Sequence, residues 1–192
     1  MDRLRYFLAV TMLVTVPISL GLWYAIHPFA RLWRRVGPAA TYAVLAVPAT
    51  ALGAWLWIQR RTLLGRDLGA QPLLAALGVL AFAVAIAIAR KRRRHLTQRI
   101  LTGVPELSGE KGTLLTEGLY ARTRNPRYLE FLFFVLGYVA IANYAGTWVL
   151  WVLCFPAIHL VVLLEERELR DRFGAEYDDY CRRVPRYLPR RA

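Results

Sequence analysis

Four long stretches of this chain contain no Asp, Glu, Lys or Arg, and they limit its fold more than any other feature. They cover residues 6–28, 36–58, 68–89 and 131–164 and are separated by clusters rich in arginine. About 20 apolar residues in a helix are enough to cross the roughly 30 Å hydrocarbon core of a bilayer. Because backbone polar groups in lipid must bond within their own segment, such stretches cross as helices. The pattern therefore predicts an all-α integral membrane protein.

The overall composition fits this prediction. Hydrophobic residues make up 57% of the chain, yet its formal net charge is +13. A large positive charge also occurs in proteins that bind nucleic acid, where Lys and Arg neutralise phosphates. Here the basic residues stand at the ends of the apolar stretches, which is typical of membrane proteins. We therefore expect membrane lipid as a partner and no nucleic acid.

The last apolar stretch is too long for one span. A straight helix over residues 131–164 would measure roughly 50 Å. The sequence NYAGT at residues 143–147 contains Asn and Gly, which favour turns. We therefore predict a helical hairpin there and about five membrane helices in total. The first stretch could be a cleaved signal peptide, but its apolar part is longer than a usual signal core, which favours a retained helix.

The distribution of Lys and Arg predicts the orientation. With five helices, the connection at residues 31–35, the polar loop 96–127 and the C-terminal tail share one face, which carries most of the positive charge. By the positive-inside rule this face is cytoplasmic and the N-terminus lies outside. The chain divides into three N-terminal membrane helices, residues 1–95, and a second region, residues 96–192, that holds the loop, the hairpin and the tail.

The cysteines and histidines form no recognisable site. Cys154 lies in an apolar stretch and Cys181 in the charged tail, and neither belongs to a CxxC motif. The histidines, His27, His95 and His159, are scattered along the chain. This spacing supports neither a disulfide framework nor a metal site, so no metal is predicted.

Two polar segments, residues 112–128 and 165–189, bracket the predicted hairpin. Because a hairpin returns the chain to the same membrane face, these segments should meet in one pocket. Asn125 and Pro126 would begin the fourth membrane helix, since Asn is a strong N-cap and Pro is favoured in the first helical turn. A helix N-terminus with Arg122 and Arg124 beside it is also suited to bind an anion.

The second segment has the charge pattern of an exposed amphipathic helix that Gly174 could end. Its favourable i,i+4 pairs are Glu166 with Arg170 and Glu168 with Arg172. This pattern leaves Glu165 unexplained. It is the first charge after the apolar stretch, and a carboxylate at the membrane interface is costly unless it has a partner. Glu165 could therefore face a bound cation.

Together the two segments resemble a known family. Their ordered pattern is Gly118-x-Tyr120, Arg124-Asn125-Pro126-x-Tyr128, an apolar hairpin, Glu165-Glu166-x-x-Leu169, Phe173-Gly174-x-x-Tyr177-x-x-Tyr180 and Val184-Pro185-x-x-x-Pro189. From Gly112 onward this pattern resembles the isoprenylcysteine carboxyl methyltransferase and phospholipid methyltransferase group. The N-terminal helices contribute only a compatible number of spans.

The resemblance implies a membrane methyltransferase that uses S-adenosylmethionine (SAM), with the loop, the hairpin and a C-terminal cytoplasmic helix closing the cofactor pocket. The positions that match the family's cofactor contacts are Gly112, Thr113, Leu114, Leu115, Tyr120, Arg124, Asn125, Pro126, Arg127, Tyr128 and Glu165. Backbone amides at a helix N-terminus suit the methionine carboxylate, tyrosines suit adenine, and Glu165 suits the amino group or the sulfonium. The chain is similar to bacterial members, which implies an inner (plasma) membrane.

Two positions depart from the family. Asn125 stands where the family usually has a histidine, and an amide cannot titrate near neutral pH. Val161 occupies the position of a substrate-binding arginine in eukaryotic prenylcysteine enzymes. The resemblance implies an acceptor that is lipophilic, membrane-associated or a small molecule, and whose nucleophile could be a carboxylate, an amine or a thiol. An amine must first lose a proton, for which Glu166 and Tyr128 are the candidate catalytic residues.

Two other functions compete with this one. Basic clusters such as RKRRRHLTQR at residues 90–99 bind anionic lipid head groups in proteins that catalyse nothing. A small transporter is a third possibility, but the apolar stretches carry no charges and no paired broken helices. Neither alternative accounts for the two motifs that bracket the hairpin.

Overall fold

The computed structural model describes residues 2–93, 107 and 112–188, and its regular structure in these ranges is helical. The helices are α1 (Asp2–Ile26), α2 (Ala30–Ile58), α3 (Arg60–Leu64), α4 (Pro72–Arg93), α5 (Pro126–Ala142), α6 (Ala145–Phe173) and α7 (Ala175–Arg183), with a 3₁₀ turn at Gly118–Ala121. His95, Pro189, residues 94–99 of the basic cluster and the predicted boundary between residues 95 and 96 lie outside the described residues.

Four of the described helices are long and apolar enough to cross a membrane: α1, α2, α4 and α6. Large apolar side chains on these helices point outward, and Val47, Leu73 and Val79 are each more than half exposed. Such an outer surface is suited to lipid. The fifth predicted span is α5, whose 17 residues reach only about 26 Å. The chain is a helical integral membrane bundle, as predicted. Helix α5 is shorter than the four helices that are long enough to cross a membrane.

The predicted hairpin turn is confirmed between α5 and α6. Asn143 adopts the left-handed conformation, with φ of 54°, and ends α5. Its side chain accepts a hydrogen bond from Trp148 Nε1 at 3.0 Å and donates one to the Gly69 carbonyl at 2.9 Å. Asn is one of the few residues that tolerates this conformation, because its short polar side chain bonds locally. The turn is thereby attached to the segment between α3 and α4.

A buried arginine holds the same end of the bundle. Arg5 is 3% exposed, donates to the Ala142 carbonyl at 3.1 Å and pairs with Asp67. Its guanidinium also lies over the ring of Tyr144. A buried cation is tolerated only when it is paired and hydrogen-bonded. Arg5 therefore fixes the start of α1 against the end of α5.

The connection predicted at residues 31–35 is helical. The chain turns between α1 and α2 at residues 27–29, and the arginines that follow belong to the first turns of α2. The break comes later, at Gly37, whose φ of 81° interrupts the helix directly before Pro38. Glycine adopts this conformation readily, and proline cannot donate the backbone hydrogen bond that a continuous helix would require.

Helix α5 packs against α1, α4 and α6. Its contact with α4 is close because both helices present glycine there: a Cβ on Gly78 would lie 2.8 Å from the Gly137 carbonyl oxygen. Small residues allow membrane helices to approach in this way. The side chains of α1, α5 and α6 form the main apolar core, which includes Met12, Val16, Val135, Val139, Ile158, Val161 and Val162. Val161 is therefore a core residue.

Gly146 at the start of α6 offers a test of this packing. A Cβ there would lie 1.9 Å from the Leu63 carbonyl oxygen, whereas a Cβ on Gly21 in α1 would meet nothing within 4 Å. We expect Gly146→Ala to lower the free energy of unfolding by about 1–3 kcal/mol, the usual cost of overpacking. Gly21→Ala should not lower it, because alanine is favoured over glycine in a helix interior. Thermal unfolding in detergent compares the two, and equal melting temperatures would contradict the packing described.

Candidate functional site

A cavity lies where the ends of the hairpin meet the loop and the tail. Its walls come from the segment before α5, the first turn of α5, the end of α6, and α7. The lining residues are Thr113, Leu114, Leu115, Tyr120, Arg124, Asn125, Pro126, Arg127, Tyr128, Glu165, Leu169, Arg172, Phe173, Tyr177 and Tyr180. We call this the first cavity. The prediction that the two polar segments form one pocket agrees with this geometry.

Every residue predicted to contact a cofactor lines the first cavity except Gly112. The cavity also has lining residues that were not predicted as contacts: Leu169, Arg172, Phe173, Tyr177 and Tyr180. Four of them lie in the family-like tail pattern, which was the signal that could have identified them. Arg172 had no such signal, because its i,i+4 pairing with Glu168 already explained it.

Glu165 and Tyr128 join the two ends of the hairpin. The Tyr128 hydroxyl donates to Glu165 Oε2 at 2.5 Å, across the gap between α5 and α6. Tyr128 is 5% exposed, whereas Glu165 is only partly buried. The partner of Glu165, which the sequence did not reveal, is therefore the phenol of Tyr128, and the Glu165 carboxyl group lies at the cavity wall.

Residues 184–188, which we call the C-terminal strap, cross over the loop that precedes α5. The Arg124 amide donates to the Pro185 carbonyl at 3.0 Å. The Thr123 hydroxyl and the Asn125 side-chain amide both donate to the Arg186 carbonyl at 3.2 Å. Backbone carbonyls that would otherwise lack partners are satisfied by these contacts. The strap and the loop therefore hold each other in place.

Glu166 connects this strap to α6. Its carboxylate accepts two hydrogen bonds from Arg186, at 3.0 and 2.8 Å, and pairs with Arg124 at 3.4 Å. Glu166 is 3% exposed and does not line the first cavity. A bidentate guanidinium contact of this kind is among the stronger charge-assisted hydrogen bonds. Glu166 thus joins three segments of chain and faces away from the cavity.

One of the two ion pairs predicted for the tail forms, and the other does not. Glu168 pairs with Arg172 at 3.3 Å as predicted, but Glu166 does not pair with Arg170. Arg170 instead bonds Asp178 of α7 at 2.8 Å. Gly174 ends α6 as predicted, with φ of 59°. The prediction of an exposed helix is wrong for its glutamates, because Glu166 and Glu168 are both buried.

Asn125 occupies the N-cap position of α5 and Pro126 its first turn, as predicted, but the Asn125 side chain caps nothing. Its amide group instead donates to the strap, as described above. Asn125 and Pro126 line the first cavity, and the amides of the first helical turn carry a partial positive charge. The N-terminus of α5 therefore presents a positive potential next to Arg124 and Arg127.

Three tyrosines, Tyr120, Tyr177 and Tyr180, also line the first cavity. Burial raises the pKa of Tyr120 to about 12 and raises the pKa values of Tyr177 and Tyr180 further. The Tyr180 hydroxyl donates to the Tyr120 carbonyl at 2.7 Å. These phenols stay protonated at neutral pH, so they offer flat apolar faces and hydrogen bonds without adding charge.

The cavity thus brings together a carboxylate, a helix N-terminus, arginines and neutral aromatic faces. No group of three or more His, Cys, Asp or Glu that could hold a metal occurs among the described residues. Such a mixture suits a ligand that carries both charges and a planar ring.

The family described as phospholipid methyltransferase matches residues 73–176, more than half of the chain. The chain belongs to this family. The match begins in α4, earlier than the motif pattern. The family region therefore includes nearly all of α4 and the whole of α5 and α6. No solved structure matches significantly.

Three curated relatives each match less than half of this chain. The nickel-cobalt-cadmium resistance protein NccN of Alcaligenes xylosoxydans xylosoxydans is 33% identical over 44% of this chain and 40% of its own. Methanethiol S-methyltransferase 2 of Bradyrhizobium diazoefficiens is 41% identical over 44% of this chain and 31% of its own. The protein-S-isoprenylcysteine O-methyltransferase of Schizosaccharomyces pombe is 30% identical over 40% of this chain and 33% of its own. The match thus spans well under half of each relative.

Replacement of Glu166 tests its structural role. We expect Glu166→Gln to lower the free energy of unfolding by about 3 kcal/mol, because two guanidiniums would be left facing each other without a compensating charge. Glu176→Gln removes the same charge from an exposed position of α7 and should have little effect. Thermal unfolding in detergent measures both. Equal melting temperatures would show that the strap does not depend on Glu166.

Asn125 offers a second test, because its side chain must donate to the Arg186 carbonyl. Asn125→Asp presents an acceptor to that carbonyl and should cost about 1–3 kcal/mol of stability. Asn125→His retains an N–H donor and should cost less. The same unfolding measurement ranks the two variants, and the reverse order would mean that the hydrogen bond to the strap is unimportant.

Proposed function

We propose that this protein transfers a methyl group from SAM to a lipophilic or membrane-associated acceptor. The observation that carries the proposal is the Glu165 carboxylate, held by Tyr128 at the wall of a cavity that also contains a helix N-terminus and neutral tyrosines. Membership of the phospholipid methyltransferase family supports the reaction class. The division into N-terminal helices, residues 1–95, and a catalytic region, residues 96–192, is part of this proposal.

The residues of the first cavity match the chemistry of SAM. Its methionine carboxylate suits the amides at the start of α5 together with Arg124, and its adenine suits the faces of Tyr120, Tyr177 and Tyr180. Its positive charge suits Glu165. When bound, SAM supplies an electrophilic methyl group on a sulfonium. Each of these contacts is a proposed role for the residue named.

The protein's contribution to the reaction is mainly positioning. Tyr128 orients Glu165 through its hydrogen bond, and the strap holds the loop that carries Arg124 and Asn125. Reacting groups that are aligned in a site with little water need few further aids, since orientation alone supplies a large part of catalysis. We assign Glu166 to this positioning, because its carboxylate is bound by Arg186 and Arg124.

The need for a base depends on the acceptor. A carboxylate or a thiolate already carries the electron pair that attacks, whereas an amine must first lose a proton. Tyr128 is the candidate for that step: its oxygen can accept a proton while its own proton passes to Glu165 along their hydrogen bond. The names of two relatives, which refer to a thiol and to the O-methylation of isoprenylcysteine, favour an acceptor of the first kind.

The orientation belongs to the same proposal. We place the first cavity, the loop and α7 on the cytoplasmic face of a bacterial-type inner membrane, with the N-terminus outside. Support comes from the arginines at the first turns of α2 and the end of α4, which lie at the cavity end of the bundle. SAM is an intracellular compound, so a cytoplasmic cavity would have access to it.

Binding of SAM to the purified protein tests the proposal. Calorimetry on wild type in detergent should show binding, and Glu165→Gln should weaken it about tenfold or more, because a charge-assisted contact is lost. Tyr128→Phe should weaken it less, since the carboxylate remains. Glu117→Gln, an exposed change in the same loop, is the matched control.

Failure of well-folded wild type to bind SAM would overturn the proposal. If such protein instead bound vesicles of anionic lipid, and Glu165→Gln bound them equally well, the alternative of a non-catalytic lipid-binding protein would be supported. For the acceptor itself, transfer of a labelled methyl group into a total membrane extract would reveal the product.

A further inference from the structure

A second cavity lies on the other side of Arg127 and Tyr128. It has a volume of about 400 Å³ and is bounded by α1, α4 and α5. Its lining residues are Ser19, Leu20, Trp23, Arg92, Arg93, Arg127, Tyr128, Glu130, Phe131 and Phe134. Arg127 and Tyr128 line both cavities. The two cavities are therefore adjacent and share these two side chains.

The charged side chains that line the second cavity are three arginines and one glutamate, so this end of the cavity is positively charged. Arg92 is buried and paired with Glu130 through its Nε and Nη2 atoms, at 2.8 and 3.1 Å, while its Nη1 has no hydrogen-bond partner among the described residues. Arg93 and Arg127 form no ion pair with any residue that the structure describes. The Arg127 guanidinium lies over the ring of Trp23, 4.0 Å from the ring centroid. Two guanidiniums are thus left to face whatever occupies the cavity.

Apart from Ser19, whose hydroxyl donates to the Thr15 carbonyl, the rest of the cavity lining is mainly apolar. Phe131 and Phe134 follow Arg127 by about one and two turns of α5, and Leu20 and Trp23 face them from α1. Phe134 is 42% exposed on the outer surface of the bundle, where lipid would lie. The lining therefore changes from cationic at the end of the bundle to apolar toward the bilayer. This order matches an amphiphile whose polar end lies outermost.

We propose that the second cavity binds the methyl acceptor, and that this acceptor is an amphiphile with an anionic group at its polar end. Arg93 and Arg127 bind the anionic group, and the apolar lining holds the chain. This inference rests on the proposed function, since it names the acceptor class for the same reaction. Arg93 becomes the residue that selects acceptors by charge, because it contacts the second cavity but not the first.

Charge argues against the other acceptor types. A cationic head group would face two guanidiniums whose charges no described carboxylate offsets, and like charges at close range repel each other. A zwitterionic head group would need a carboxylate for its ammonium, but Glu130 is already bound by Arg92. An uncharged amphiphile would fill the apolar part while leaving both guanidiniums without a partner.

Photolabelling in nanodiscs of phosphatidylcholine tests this assignment. The probes are a fatty acid and the matching fatty alcohol, each with a diazirine in its chain, used at about pH 8.5 so that the carboxylate is ionised. A third probe, photoreactive phosphatidic acid, tells a phospholipid from a single-chain acid. Sites of labelling are mapped by mass spectrometry. The variants are Arg93→Gln and, as matched control, Arg90→Gln, an exposed arginine one turn earlier on α4 that does not line the cavity.

We expect an anionic probe to label the chain near Phe131 and Phe134, and Arg93→Gln to reduce the yield about tenfold, as for loss of a charge-assisted contact. Arg90→Gln should label like wild type. The anionic probe with the higher yield identifies the source, either a single-chain acid or a phospholipid. Equal labelling by the alcohol, or an equal effect of the two variants, would overturn the inference.

SAM binding separates this inference from the proposed function. Arg93→Gln should bind SAM like wild type, because Arg93 lies outside the first cavity. A protein that binds no SAM but labels through Arg93 would refute the methyltransferase and leave the anionic site. One that binds SAM but labels without regard to charge would refute only the acceptor class.

Discussion

The cavity end of the bundle depends on one buried carboxylate. Glu166 is almost inaccessible to solvent, so its charge must be offset by partners at close range. Those partners come from two distant segments, Arg124 in the loop and Arg186 in the strap. Satisfying a single side chain of α6 therefore requires the loop and the tail to come together over it. The same contacts place Tyr120 against Tyr180 and complete the wall of the first cavity.

Two adjacent glutamates of α6, Glu165 and Glu166, have different roles. Consecutive residues of an α-helix point about 100° apart. Glu166 points toward the strap and is fully paired, while Glu165 points toward Tyr128 and remains at the cavity wall. Because the structural carboxylate anchors the helix rotation, its neighbour is held in one direction. The acidic pair in the motif is thus explained by two different requirements.

Local signals in the sequence predicted the local features well. The Asn143 turn, the end of α6 at Gly174 and the start of α5 at Pro126 each follow from the conformational preference of one or two residues. The meeting of the two polar segments followed from the hairpin alone. The partners of Glu166 could not be predicted, because the favourable spacing to Arg170 is visible in sequence and the contact with Arg186 depends on how the tail folds back.

The role of Asn125 shows the same limit. Sequence identifies it as an N-cap and, by resemblance, as a replaced histidine, and both descriptions refer to groups near the helix end. Its actual partner is the Arg186 carbonyl on the strap. What the position supplies in this chain is an N–H donor to the backbone, and an amide supplies that as well as an imidazole does. Titration is not part of that requirement.

The continuity of α6 has a mechanical consequence. The helix runs without a break from the hairpin turn through the Glu165–Glu166 pair to Phe173, and the distance from its first residue to Glu165 is about 30 Å. That length equals the thickness of a typical hydrocarbon core. The helix is therefore long enough to cross the hydrocarbon core, with Asn143 near one surface and the carboxylates near the other. A thinner membrane would tilt the helix and carry both carboxylates with it.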